Sequence, residues 1–151
     1  MDFTKLSGLE MLQLLIDGVI PAPTMALTIP MKLVRVESGA CEFHVTANKM
    51  LLNPLGGVHG GFAATALDSA TGCAVHTIMA AGESYGTIDL NVKMVRPVPV
   101  DKELKAIGKV IYRSKKLGIA EASLTDEDGK LYAHATATCM IMENGNGKTK
   151  S

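Results

Sequence analysis

An α+β fold, a curved antiparallel sheet wrapped around one long central helix, is what this sequence predicts. Three observations carry that expectation. The stretch from Met50 to Gly82 contains a single formal charge, Asp68, and from His59 to Ala80 it reads as a helix. A surface helix normally shows a charged outer face; this one shows none, so it is expected to be covered on most sides. The segments before it alternate apolar with polar residues, and nearly everything from Thr87 to Met142 does the same. An Ala/Gly-rich helix suits such a sheet, because small side chains let a strongly curved sheet close around it.

The elements follow in order. Leu9, Leu12, Ile16 and Val19 recur at spacings of three and four, which predicts a short amphipathic helix stopped by Gly18 and the Pro21/Pro23 pair. Residues 32–37 and 41–46 are two strands with Ser38-Gly39-Ala40 as the hairpin turn. Residues 47–58 are a loop, punctuated by Asn53-Pro54 and Gly56-Gly57. After the helix, residues 87–96 alternate cleanly until Pro97-Val98-Pro99. Strands are expected at 103–113, 117–125 and 131–142, with Asp126-Glu127-Asp128-Gly129 as a turn. Residues 1–143 are expected to form one domain, and the Gly/Asn/Lys-rich residues 144–151 a disordered tail.

Composition excludes several function classes. Lys plus Arg and Asp plus Glu each number 15, so charge gives no reason to expect nucleic acid or an anionic membrane as partner. The absence of Trp, with three Tyr and three Phe, argues against a base-stacking platform. Cys41, Cys73 and Cys139 are an odd set without CxxC spacing, and the N-terminus lacks the pattern of a secretory signal. A reduced, cytoplasmic setting is the simpler expectation. Residues 60–82 have about the length of a membrane span, but Asp68 costs about 2.5–3.5 kcal/mol at a bilayer centre on insertion scales.

Asp68 is the residue to which the chemistry points. A carboxylate in a covered helix is costly unless it is paired, hydrogen-bonded or put to use. From His59 to Asp68 is nine residues at about 100° each, about 900°, half a turn out of phase and about 13.5 Å along the axis. The two side chains cannot meet within one helix, so a site using both needs either the His59-Gly60-Gly61 segment to curl away or two chains to meet. Thr65, Asp68 and Gly72 share one stripe of small residues, where a backbone or a substrate can approach. First-turn N–H groups lack intrahelical partners, and without a Cβ at Gly60 or Gly61 a carbonyl oxygen can reach them, as stabilising an oxyanion requires. Taken alone, the Gly-Gly pair reads more simply as a tight turn.

Other constellations are weaker. Cys73 and His76 lie three apart on one helical face, but two ligands do not make a zinc site, and a core pair is the better reading. His44 and His134 read as structural strand residues. No GxSxG elbow is present, which disfavours an α/β-hydrolase route. The methionines, Met25 and Met31 among them, read mostly as core filler, with some available to line an adaptable acyl pocket.

Together, Asn53, His59-Gly60-Gly61, Asp68 after six intervening residues, Tyr85-Gly86-Thr87-Ile88-Asp89-Leu90-Asn91 and Arg96-Pro97 resemble the hot-dog-fold acyl-CoA thioesterases, the PaaI-like branch most closely. The resemblance covers about residues 30–142. It implies an acyl-CoA thioester hydrolase with Asp68 as general base or nucleophile and the Gly60 N–H polarising the thioester carbonyl. It further implies that Asn53 and His59 complete that pocket and that Thr87 helps to position the attacking water. Gly61 would line the substrate site. Coenzyme A carries phosphates, so Lys93, Arg96, Arg113, Lys115 and Lys116 are candidate contacts; Arg113-Ser114-Lys115-Lys116 stands where the family often has Gly-Arg-Arg. The resemblance implies no metal or redox cofactor. It implies a homodimer with composite sites, assembling into a homotetramer as a dimer of dimers.

Two other readings stay open. A hot-dog hydratase or dehydratase acting on acyl-CoA or acyl-carrier protein usually pairs a His with an acid in a different motif, and the spacing here does not reproduce it. A non-catalytic acyl-CoA-binding module is the other; transcription-regulating hot-dog sensors carry a DNA-binding extension, and the segment ahead of the first strand is too short for one.

Overall fold

Ser7 opens the first helix with a reciprocal cap. Its hydroxyl accepts the Glu10 N–H, and the Glu10 carboxylate accepts the Ser7 N–H at 2.8 Å. This helix, α1, runs Gly8–Ile16. It stops short of Val19 because Gly18 adopts φ 75° and the N–H groups of Val19 and Ile20 both turn back to the Leu14 carbonyl. The structure, a computed structural model, describes residues 2–143; the tail expected at 144–151 lies outside them. A single helical turn that the sequence reading missed, α2 (Met25–Thr28), follows between Pro23 and Pro30.

The remaining elements are β1 (Met31–Glu37), β2 (Ala40–Thr46), α3 (Gly60–His76), β3 (Glu83–Met94), β4 (Glu103–Arg113), β5 (Leu117–Thr125) and β6 (Leu131–Glu143). The strands form one antiparallel sheet in the order β1-β2-β4-β5-β6-β3, so β1 and β3 are its edges. The long helix α3 packs against β2 through β6. Small residues make that approach close. Ala106, Ala120, Ala122, Ala133, Ala135 and Ala137 are all buried on the helix side of the sheet. A Cβ at Gly108 would collide with the Ala70 carbonyl of α3, and the Cys41 thiol donates to that same carbonyl at 3.1 Å. Phe62, Leu67 and Val75 fill the space that remains, each burial contributing about 1.5–3 kcal/mol.

Three boundaries correct the sequence reading. Helix α3 ends at His76 and not at Ala80, because the Thr77 hydroxyl donates to the Ala74 carbonyl at 2.6 Å while accepting the Gly39 N–H at 2.8 Å. The chain then turns through Gly82, at φ 83°, and β3 begins at Glu83, four residues before the expected start. At its other end β3 stops at Met94, since the N–H groups of Val95 and Arg96 converge on the Tyr132 carbonyl.

The strand β3 is also not a clean alternation. Thr87 pairs with Cys139 and Asp89 with Thr138, which leaves Ile88 as the extra residue of a β-bulge. Tyr85 and Thr87 therefore face α3, as Leu90 and Val92 do further along. Without the bulge, Thr87 would share a face with Asp89, Asn91 and Lys93 and point away from the helix.

Candidate active site

Asp68 sits in the middle of α3, partly buried, and the Thr87 hydroxyl donates to its Oδ1 at 3.0 Å. No cation pairs with it, and its Oδ2 has no donor among the described residues, so that oxygen is free to accept a proton. Around it are Gly72, Cys73, Tyr85 and Thr87, all lining one cavity. Burial, with the Asp68 charge beside it, pushes the Cys73 thiol up to about 12. Burial likewise raises the Cys139 thiol and the Tyr85 phenol. These groups stay protonated near neutrality, so no thiolate competes as nucleophile in this cavity. His76 packs its ring against Tyr85 at 5.4 Å, and burial lowers its pKa.

At the start of α3 the arrangement is of the opposite kind. His59 is the N-cap, and its Nδ1 accepts the Gly61 N–H at 2.8 Å. Nδ1 is therefore unprotonated, which leaves Nε2 of the neutral ring as a donor. The Gly61 N–H is engaged, whereas the Gly60 N–H has no acceptor among the described residues. Asn53 folds the preceding loop by accepting the Leu55 and Gly57 N–H groups on Oδ1 at 2.9 and 3.2 Å, and its Nδ2 has no acceptor among the described residues. Asn53, His59 and Gly60 line a second cavity, of about 590 Å³, where Met94 lies across Gly60. Those three residues offer donors, and no carboxylate lines the cavity.

The two cavities share no lining residue. Within one chain the acid and the donors stay apart, as the half-turn offset requires. Arg96 lines the donor cavity, its Nε donating to the Leu131 carbonyl at 3.3 Å and its guanidinium lying 6.0 Å from the Tyr132 ring centroid. Lys93 is exposed on β3 opposite His134. Arg113 enters neither cavity. Its Nη2 is bound to both Glu83 carboxylate oxygens at 2.9 and 3.1 Å. Lys115 and Lys116 flank a different cavity beside Met140 and Met142, and Ser114 supplies the turn there, its hydroxyl accepting the Leu117 N–H at 3.1 Å.

An antiparallel sheet laid against one long helix is the arrangement of a hot-dog fold, and here it carries a lone acid in mid-helix and the Gly60 N–H without an acceptor among the described residues at the helix start. Residues 55–133 match the thioesterase superfamily, to which this chain belongs. Acyl-coenzyme A thioesterase 13 of Mus musculus is 28% identical over 123 residues, covering 81% of each chain. A phenylacetic acid degradation-related protein from Ralstonia eutropha JMP134 superposes with a TM-score of 0.77 at 32% identity, covering 85% of this chain and 97% of that one. The E. coli PaaI protein, at 16% identity, shares the fold with a TM-score of 0.78 over 90% and 96% of the two chains. The protein is a thioester hydrolase of the PaaI-like kind. No helix of the described residues is long and apolar enough to cross a membrane.

Proposed function

We propose that this chain hydrolyses acyl-CoA to a carboxylic acid and free CoA in a homodimer, where Asp68 of one protomer faces Asn53, His59 and Gly60 of its partner. The observation that carries the reading is the separation of base and donors into two cavities of one chain. Each cavity holds half of a hydrolytic site. A single operation joins them. Strand β3 is a sheet edge, with Thr87 lining the acid cavity and Met94 the donor cavity. Antiparallel pairing of β3 with a second β3, centred on Asn91, sets Leu90 opposite the other chain's Val92 and, past the extra residue Ile88, Thr87 opposite its Met94. The same pairing covers a long edge that would otherwise invite aggregation.

The chemistry then needs no further group. The Gly60 N–H and the His59 Nε2–H polarise the thioester carbonyl, and Asp68 Oδ2 takes a proton from water as its oxygen attacks the carbonyl carbon. The negative charge that collects on the carbonyl oxygen is met by those donors. Collapse of the tetrahedral intermediate breaks the C–S bond, and the proton held by Asp68 passes to the departing thiolate. With Asp68 as nucleophile, an anhydride forms first and water then opens it. Both routes use the same residues. Arg96, which lines the donor cavity, and Lys93, next to Met94 on β3, serve the CoA phosphates, and Gly61 supports the site by holding His59. A homotetramer and a cytoplasmic setting complete the reading; unpaired Cys41, Cys73 and Cys139 support the latter.

The test is Asp68→Asn and Asp68→Ala assayed by free-thiol release on an acyl-CoA panel. Loss of turnover in both with folding intact is expected. Hydrolysis at the wild-type rate in either would remove Asp68 from the chemistry.

A further inference from the structure

The acid cavity, about 560 Å³ in all, extends beyond Asp68 into a mainly apolar space. Leu33 and Phe43 of the β1–β2 hairpin form one wall, and Gly72 of α3 lies below. At one end stands Tyr85, whose ring edge and hydroxyl occupy the room that a Cβ on Gly72 would fill. The roof is the segment of residues 21–29, which contributes Met25, Ala26 and Leu27.

That roof is an unusual piece of chain. Its backbone bonds are internal: Ala26 to Pro23, Leu27 to Thr24 and Ile29 to Met25. The ties to the rest of the fold are at its ends, where the Ile20 N–H reaches Leu14 and the Pro30 carbonyl accepts the Thr46 N–H. Between these anchors, among the described residues, no hydrogen bond crosses from the segment to the sheet or to α3. It is a strap held down by side-chain packing alone. Met25 is 50% and Leu27 79% exposed, so apolar surface stands at the mouth of the cavity uncovered by this chain.

Size and lining decide the occupant. A cavity of about 150 Å³ lined by aliphatic side chains is enough for benzene, so a single ring would leave most of this space empty. The wall is made mainly of flexible aliphatic and thioether side chains, which adapt to a chain of many conformers better than to one planar group. Building on the hydrolytic reading above, we infer that this cavity holds the acyl chain and selects unbranched aliphatic acyl groups of medium to long length over acetyl and phenylacetyl groups. The strap at residues 21–29 is the wall that sets the length. A chain entering from the thioester passes Thr87 and Asp68 and runs beneath Ala26 and Leu27 toward Leu33.

The experiment uses the full chain, an acyl-CoA series from acetyl to palmitoyl with phenylacetyl-CoA included, and the variants Ala26→Trp and Leu27→Asp. Wild type is expected to favour dodecanoyl-CoA over both acetyl- and phenylacetyl-CoA by about tenfold or more in kcat/KM. Ala26→Trp should lower the dodecanoyl value by about tenfold or more while leaving the acetyl value within about threefold. Leu27→Asp, at an exposed position that tolerates substitution, should act in the same direction. Binding of the fluorescent probe 11-(dansylamino)undecanoic acid to wild type, displaced by dodecanoate and weakened in both variants, gives the answer without turnover. Preference for acetyl or phenylacetyl, an equal loss at every chain length, or probe binding unchanged by both substitutions would overturn the inference. Absence of free-thiol release from every acyl-CoA would instead defeat the hydrolytic reading, and the probe would still decide whether the cavity takes an aliphatic chain.

Discussion

The two halves of the site, the donor loop at the start of α3 and the carboxylate at its middle, are built in opposite ways. Residues 53–61 make the donor half almost from their own backbone: Asn53 folds the loop, His59 caps the helix, and the Gly60 N–H is left over. The carboxylate half is tertiary. Asp68 comes from α3, Thr87 from a bulged edge strand, and the cavity around them from α1, α2, the hairpin and β3. The donor half should therefore survive wherever its local sequence is kept, whereas the acid half depends on how distant elements register.

The largest effect that exposes this contrast is expected at Asp68. Asp68→Asn keeps the shape and removes the base, and should lower kcat by about 10²–10⁴-fold in steady-state hydrolysis. Next is Gly60→Pro. Position 60 is the first helical residue, where proline is tolerated, and His59 is extended at ψ 136°, as a residue before proline prefers. The substitution deletes one N–H and leaves the helix standing, with the flexible Met94 side chain moving aside. A loss of about 10²–10³-fold in kcat with little change in KM is expected, and Gly60→Ala, which keeps the N–H, should lose far less. An equal loss in both variants would mean that bulk, and not the donor, matters there.

Thr87→Val comes third. It removes the hydroxyl that holds Asp68 Oδ1 at 3.0 Å while keeping the side-chain shape, and should cost about ten- to a hundredfold in kcat. Deleting Ile88 removes the extra residue and leaves Thr87 opposite Cys139 and Asp89 opposite Thr138 in a regular ladder, so Thr87 should still face Asp68 and kcat should fall by less than in Thr87→Val; a larger loss would show that the bulge itself shapes the site.

The smallest effect on activity should come from Asp126, which lines neither cavity and meets the donor half only through the Tyr132 hydroxyl, which donates to its Oδ2 at 3.3 Å. Its carboxylate accepts the Lys130 and Asp128 N–H groups and pairs with Lys102 at 3.1 Å, with the Lys130 N–H foremost in holding its pKa down to about 2. The folded value lies below the unfolded one, so this stabilisation is present above the ordinary carboxylate pKa and fades as pH falls toward about 2. Asp126→Asn should flatten the acid limb of stability, followed by thermal melts between neutral pH and pH 3, while kcat at neutral pH stays near wild type. A melt profile unchanged by the substitution would contradict this.

What could be read from the sequence follows the same division. Asp68 stood out as the lone charge in a covered stretch, and Asn53, His59 and Gly60 lie in one contiguous run with recognisable loop and cap chemistry. Strands β4 and β5 were legible to the residue because turn signals bound them, although β4 carries an irregularity at Ile111 that its sequence did not announce. Helix α3 was overextended because nothing apolar in 77–80 announces that the Thr77 hydroxyl will close on Ala74 and Gly39. The Ile88 bulge left no local trace: residues 87–94 alternate as a regular strand would, and only the pairing with β6 reveals the extra residue. Arg113 looked like a free cation for the same reason, since its partner Glu83 sits 30 positions away in the chain. The Ser7/Glu10 cap, by contrast, had a readable S-x-x-E signature that was passed over.

The most direct measurement mixes two inactive chains. Asp68→Asn supplies intact donors and Gly60→Pro supplies an intact acid, so subunit exchange creates mixed dimers in which one of the two sites is whole. Equimolar mixing should restore about a quarter of wild-type activity, with half the dimers mixed and half the sites of each intact. A mixture as inactive as its parents, under conditions where exchange is confirmed by mass spectrometry of differently tagged chains, would show that acid and donors do not meet across a subunit boundary.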